Sequence, residues 1–276
     1  MGFFEAIVLG VVQGLSEFLP ISSSGHLVVF QNILTPGPHS IVFDLAVHVG
    51  TVTSILTLYA RSLIEILRDS FHTVRTKQPT HGFKLVLLIV LANIPTAIIG
   101  FGFKDTFEEM FSSLTTVAIC FSITGFLLWQ TRGKNTDSDM QTTDMKNLEG
   151  MQTLTWSRAL FIGLAQGMAI APGISRSGST IAAAILSGVD RKIAALFSFM
   201  MSIPAILGAS IIELKDVSME NHVVWPILIA GFTAAYLSGL FGLAVVLRFV
   251  KKGRLEIFSY YLWMLSAFIL VKKFLL

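Results

Sequence analysis

The sequence predicts an all-α polytopic membrane protein, with six transmembrane helices and two re-entrant helical hairpins in an inverted-topology repeat. Three observations predict it. Of 276 residues, 53% are hydrophobic and 13% charged, with a mean hydropathy of +0.73; a soluble domain carries roughly a quarter charged residues. The apolar residues form long runs between polar segments instead of alternating over about ten positions, which selects helices over barrel strands. Finally, two apolar runs far apart in the chain carry the same internal break.

Taken in order, residues 3–34 are apolar but interrupted midway by Pro, Gly and Ser. They are too broken for one long helix and too short for two spans. Irregular backbone at membrane depth is tolerated only when buried in protein or lining a water-filled cavity, so the segment reads as a re-entrant hairpin. Its start has Glu5 and no Lys or Arg, so no cleaved signal peptide is expected. Spans follow at 41–60, 85–103 and 114–131. The polar, mixed-charge loop 132–158 reads as a solvated linker. A second broken segment, 159–188, reads as another hairpin, followed by spans at 193–213, 223–247 and 257–271. The last is short of the ~20 residues a span needs and is expected to extend into its flanks. The chain is thus one integral membrane domain, 1–276, with repeat one at about 1–131 and repeat two at about 159–276.

Charge sets the orientation. The net charge of +3 is not gathered on a soluble face, which excludes nucleic acid as a partner; the basic residues sit in loops. Loop 61–84 carries Arg61, Arg68, Arg75, Lys77 and Lys84, and loop 132–158 carries Arg132, Lys134, Lys146 and Arg158. Loop 248–256 carries Arg248, Lys251, Lys252 and Arg254, whereas 104–113 and 214–222 have only Lys104 and Lys215. Basic loops mark the cytoplasmic side, which places both termini outside, with Lys272 and Lys273 breaking the rule. The single cysteine, Cys120, rules out an internal disulfide.

A shift of 153 residues lays GVVQGLSEFLPISSSG (10–25) over GLAQGMAIAPGISRSG (163–178) without a gap, and seven of the sixteen positions are identical. Three spans separate the hairpins, so the second copy should be inverted. The first hairpin then enters from outside and the second from the cytoplasm, with their tips meeting near mid-bilayer. Inverted repeats with broken helices are the plan on which many transporters place their sites.

The two tips have diverged where charge matters. Ser23 lies over Arg176, and Glu17 over Ile170. An arginine at membrane depth costs on the order of 3 kcal/mol and needs a partner. Its planar fork of donors suits phosphate oxygens, with Ser175, Ser177, Ser179 and Thr180 around it. The blander reading pairs Arg176 with Glu17 and bonds the hydroxyls back to helix carbonyls. Glu17 can hold a divalent cation or accept a proton, and His26 can act as acid, base or nucleophile. Carboxylate, imidazole and guanidinium together point to phosphate-ester chemistry with a metal to balance charge. Asp44 and His48, four apart on one helix face, would extend the metal site, steer the leaving phosphate, or bond to neighbouring helices.

QGLSEFLPISSSGH and PGISRSGST resemble the two signature motifs of the undecaprenyl-diphosphatase family, the bacitracin-resistance membrane phosphatases, and the resemblance spans the chain. It implies hydrolysis of undecaprenyl diphosphate to undecaprenyl phosphate and inorganic phosphate, recycling the lipid carrier of cell-wall synthesis. It also implies a divalent cation, Mg²⁺ or Ca²⁺, and a plasma-membrane site open to the outer face. By position, the family's acidic motif falls on Gln13 and Glu17, its serine and histidine on Ser23 and His26, and its phosphate-binding motif on Ser175, Arg176 and Thr180. Gln13 is glutamate in some members, so this chain has one fewer carboxylate for metal. SSSGH also resembles the PSGH motif of the phosphatidic-acid-phosphatase superfamily, whose other motifs have no match here.

The catalytic residues expected are Glu17, Ser23, His26 and Arg176. Ser22, Ser24, Ser175, Ser177 and Thr180 would bind substrate, and Glu17 and Gln13 would bind metal. Either Ser23 attacks phosphorus with His26 as base, or His26 activates water and Ser23 only binds. The partners expected are a polyprenyl diphosphate lipid and the membrane, with a homodimer allowed. Rival classes are an inverted-repeat transporter or flippase of a lipid phosphate or anion, and a structural membrane protein whose polar tips simply pack.

Overall fold

The computed structural model describes residues 1–34, 40–134, 148–214 and 224–275. Among them are twelve α-helices and no strand. The first half runs α1 (Phe3–Phe18), α2 (Ser23–Leu34), α3 (Ile41–Leu58), α4 (Ala60–Thr76), α5 (His81–Gly102), α6 (Lys104–Phe111) and α7 (Leu114–Trp129). The second runs α8 (Trp156–Met168), α9 (Arg176–Leu186), α10 (Arg191–Glu213), α11 (Trp225–Lys252) and α12 (Ile257–Leu275). Short polar residues start many of them. Ser40, Thr80, Ser113, Thr155, Ser175 and Asp190 each accept a backbone N–H from the first turn they precede, satisfying donors that have no partner inside the helix.

Helices α3, α5, α10 and α11 are each long and apolar enough to cross a bilayer. Helices α6 and α7 meet that test only as a pair, bent by 104°. The chain is therefore an all-helical, multi-pass membrane protein. Two segments expected as loops are helical: 61–84 holds α4 and the start of α5, and 104–113 holds α6. Counting loop charge overlooks the apolar residues that recur at helical spacing within 61–84. Of loop 132–158, residues 135–147 lie outside the described residues, and so does Lys146; most of 214–222, with Lys215, does too.

The two broken segments fold into helix–break–helix units, α1–α2 and α8–α9. Their packing is crosswise: α1 lies against α11 of the second half, and α8 against α5 of the first. Helices α3 and α11 pack together as do α10 and α5, and α7 pairs with α12. The repeated glycines explain how α1 and α8 approach so closely. A Cβ on Gly10 would lie 2.4 Å from the carbonyl oxygen of Gly231, and one on Gly163 would lie 2.0 Å from that of Ala92. Small residues that let backbones touch are the usual glue of membrane helices, which gain nothing from burying apolar surface away from lipid. Gly163→Ala is therefore expected to destabilise the protein by about 1–3 kcal/mol, lowering its melting temperature in detergent. Gly102→Ala, where a Cβ would meet nothing within 4 Å, should leave it unchanged.

Candidate active site

The matched motif I-S-x-S-G encodes the same local event twice. Helix α1 stops at Phe18, and Pro20 follows two residues later. Ser22, held at φ 70°, then turns the chain into α2, and its Oγ accepts the N–H of Gly25 at 3.3 Å. In the second unit α8 stops at Met168, the chain turns through Pro172 and Gly173 (φ 95°), and the Ser175 Oγ accepts the N–H of Gly178 at 3.1 Å. Only glycine fits at position 173: the backbone is left-handed, and a Cβ would sit 2.4 Å from the carbonyl oxygen of Val117.

The two breaks abut. The N–H of Gly173 donates to the Ser22 Oγ at 3.1 Å, and the Ser177 hydroxyl donates to the carbonyl of Leu19 at 3.2 Å. Gly25 permits this approach, since a Cβ there would lie 2.9 Å from the Cα of Gly173. The result places the N-termini of α2 and α9 beside one another, each with the partial positive charge that favours anions.

Glu17, buried in the last turn of α1, is the hub. Its Oε1 accepts from the Nη2 of Arg176 in a salt bridge, and its Oε2 accepts from the Ser23 hydroxyl and, at 2.9 Å, from the Nε2 of Gln13. The chain thus brings together Gln13, Glu17, Ser23 and Arg176 from both breaks. Two polar atoms in this group are buried with no partner among the described residues: the Nη1 of Arg176, a donor, and the Oε1 of Gln13, an acceptor. Arg176 and Ser23 are partly exposed while Glu17 is not.

His26 sits elsewhere. Its Nδ1 bonds the Ser22 carbonyl at 2.7 Å; a carbonyl only accepts, so Nδ1 carries the proton and a neutral ring leaves Nε2 as acceptor. Nε2 takes the Tyr261 hydroxyl at 2.7 Å, and the two rings stack at 5.7 Å. The expected Ser23–His26 pairing is replaced by Ser23–Glu17. Among the hydroxyls expected to bind substrate, Ser22, Ser175 and Ser177 hold the tips as described. The Ser24 Oγ lies 3.3 Å from that of Ser22, and Thr180 bonds back to the carbonyl of Arg176 and meets Ser198 at 2.6 Å. Ser179 is buried and has no partner among the described residues. Asp44 accepts from Gln31 at 2.8 Å, while His48 bonds the carbonyl of Asp44 at 2.7 Å.

Two residues were not anticipated. Thr124 on α7 clamps the second break, donating to the carbonyl of Gly173 and accepting the N–H of Ser175, both at 3.0 Å. A threonine within an apolar span was the available signal. Tyr261 on α12 gave none, since a tyrosine near a span end reads as an interface anchor.

No group of three or more His, Cys, Asp or Glu side chains close enough to hold a metal occurs among the described residues. The donor set nevertheless fits a hard cation carried by a diphosphate: one carboxylate, Glu17, beside the unpartnered amide oxygen of Gln13. Mg²⁺ commonly takes one or two protein oxygens and completes its shell with phosphate and water.

These features define a class: multi-pass helical membrane proteins with a buried acid paired to a guanidinium where two broken helices meet. The chain matches the family model "Bacitracin resistance protein BacA" over residues 6–268. It is 43% identical over 275 residues to an undecaprenyl-diphosphatase of Carboxydothermus hydrogenoformans, covering 98% of this chain and 97% of that one. It is 42% identical over 273 residues to that of Halothermothrix orenii, with 98% of each chain covered. For that of Methanobrevibacter smithii the figures are 34% over 279 residues, with 98% of this chain and 97% of that one covered. The chain belongs to the BacA family.

Proposed function

We propose that the junction of the two breaks hydrolyses undecaprenyl diphosphate to undecaprenyl phosphate and inorganic phosphate, recycling the lipid carrier of cell-wall synthesis. Membership of the BacA family and relatives named for this activity support the reaction over transport. The observation that carries the site is Glu17 joined to both Ser23 and Arg176. The Ser23 oxygen attacks the terminal phosphorus while Glu17 takes its proton, and undecaprenyl phosphate leaves with the bridging oxygen. Water then cleaves the phosphoserine, releasing phosphate and restoring the hydroxyl. Arg176 offers its Nη1, unpartnered among the described residues, to the phosphoryl oxygens, as a preset donor aimed where charge develops. Glu17 and Gln13 would hold a Mg²⁺ or Ca²⁺ ion, which supplies charge neutralisation to the diphosphate. His26 and Tyr261 fix the Ser22 carbonyl, and hence the start of α2 that presents Ser23. The rival scheme, with His26 activating water, requires Nε2 to release Tyr261; the covalent scheme needs no such movement.

The same proposal places six spans and two re-entrant hairpins in the plasma membrane, as repeats at about 1–131 and 159–276 in opposite orientations, with the site open to the extracytoplasmic side. The crosswise packing of α1 on α11 and α8 on α5 supports the repeat, and the basic segments at 61–84 and 248–256 support the orientation. The test is phosphate release from undecaprenyl diphosphate labelled at its terminal phosphate. Acid quenching should trap label on Ser23, turnover should stop in EDTA, and Ser23→Ala should lose both label and activity. A Ser23→Ala enzyme with near wild-type turnover would remove the covalent step.

A further inference from the structure

Helix α4 joins two helices long enough to cross a bilayer, separated from α3 by Tyr59 alone. It is too polar to cross one itself. Its inner face is fastened to the protein: Ile66 and Thr73 are buried, the Thr73 hydroxyl meets that of Thr80 at 2.8 Å, and Thr80 donates to the carbonyl of Asp69 at 3.1 Å. Its outer face is apolar and bare. Ile64, Leu67, Phe71 and Val74 follow one another at intervals of three and four residues and are 50%, 65%, 70% and 71% exposed.

Arg61, Arg68 and Arg75 recur every seven residues and are all exposed. At about 100° per residue, seven positions close two turns to within ~20°, so the three form one stripe along the helix. That stripe lies about 80° from the centre of the apolar face, whereas Glu65 and Asp69 lie about 140° and 180° from it. Cations therefore border the apolar strip and acids point away from it. An in-plane membrane helix has this layout, with apolar side chains in the acyl boundary and arginines at headgroup level. The ends of α3 and α5 already hold α4 at that depth.

We propose that α4 is an anionic-lipid-binding helix that lies in the plane of the membrane surface, with Arg61, Arg68 and Arg75 on headgroup phosphates and Ile64, Leu67, Phe71 and Val74 in the acyl boundary. The sign of the stripe selects anionic over zwitterionic lipid, because a juxtamembrane basic residue gains attraction from a negative leaflet and none from a neutral one.

The test uses the full-length protein in vesicles of phosphatidylcholine and phosphatidylglycerol, with Cys120→Ser and one spin label at a time. A label at Phe71→Cys should collide with oxygen and be shielded from an aqueous nickel chelate, while one at Glu65→Cys should be open to nickel. In native mass spectrometry, the preference for retained phosphatidylglycerol over phosphatidylcholine should fall roughly tenfold or more in Arg61→Gln/Arg68→Gln/Arg75→Gln. That variant alters exposed side chains outside the catalytic junction and should keep its turnover in detergent, which verifies its fold. A position-71 label as open to nickel as the position-65 label would overturn the proposal and leave the face for a protein partner or a second copy. An unchanged lipid preference in the triple variant would overturn the arginines' role.

Discussion

Glu17→Gln should abolish turnover and also loosen the protein. Three donors converge on this buried carboxylate: the guanidinium of Arg176, the hydroxyl of Ser23 and the amide of Gln13. Glutamine keeps the size but offers one acceptor, and it turns an NH₂ group toward donors. The proton acceptor that the proposed reaction gives Ser23 is lost, which costs about 10²–10⁴ in rate. Arg176, at 19% exposure, is left without its counter-charge. Breaking a buried pair on one side costs ~3–5 kcal/mol, and partial exposure lowers the expectation to about 2–3 kcal/mol. The melting temperature in detergent should fall accordingly. Inorganic pyrophosphate brings charge of the missing sign, so it should raise the variant's melting temperature more than the wild type's. A Glu17→Gln protein with wild-type stability and turnover would show that neither Ser23 nor Arg176 depends on this carboxylate.

The sequence exposed the meeting of the two tips because a repeat carries three-dimensional information: the serine and glycine of I-S-x-S-G cap and start a helix in both copies, and Gly25 and Gly173 allow the breaks to touch. It exposed the charge pair because an arginine within an apolar segment demands a partner, and the blander Arg176–Glu17 pairing is present alongside an Nη1 unpartnered among the described residues. The contacts of His26 were hidden. Ser23 and His26 stand three apart, as neighbours on a helix face do, yet the imidazole folds back one turn to the carbonyl of Ser22 and meets Tyr261, 235 residues away. No local pattern encodes a contact of that separation. Helix α4 was hidden for a different reason: the charges that orient a loop and the charges that border an amphipathic face are the same arginines.

Arg176→Lys should leave the protein folded and nearly inactive. A lysine at this position still carries the positive charge that Glu17 requires, so the stability loss expected of Glu17→Gln should not appear. In the proposed reaction, however, the guanidinium does two things at once. Its Nη2 is committed to Glu17, while Nη1 is buried and unpartnered among the described residues, and would take a phosphoryl oxygen. An ammonium is one nitrogen on a flexible stem and lacks the planar fork that separates these directions. If it stays on Glu17, the developing charge at phosphorus loses its donor; if it turns to the phosphate, Glu17 loses its partner and the base is mispositioned. Either outcome removes an interaction made to the transition state, and the loss of one such donor lowers kcat by about 10²–10³. Measuring kcat for undecaprenyl diphosphate together with melting temperature separates this from misfolding. Wild-type melting with kcat reduced by that factor assigns the fork to catalysis, whereas wild-type kcat would confine Arg176 to holding Glu17 in place.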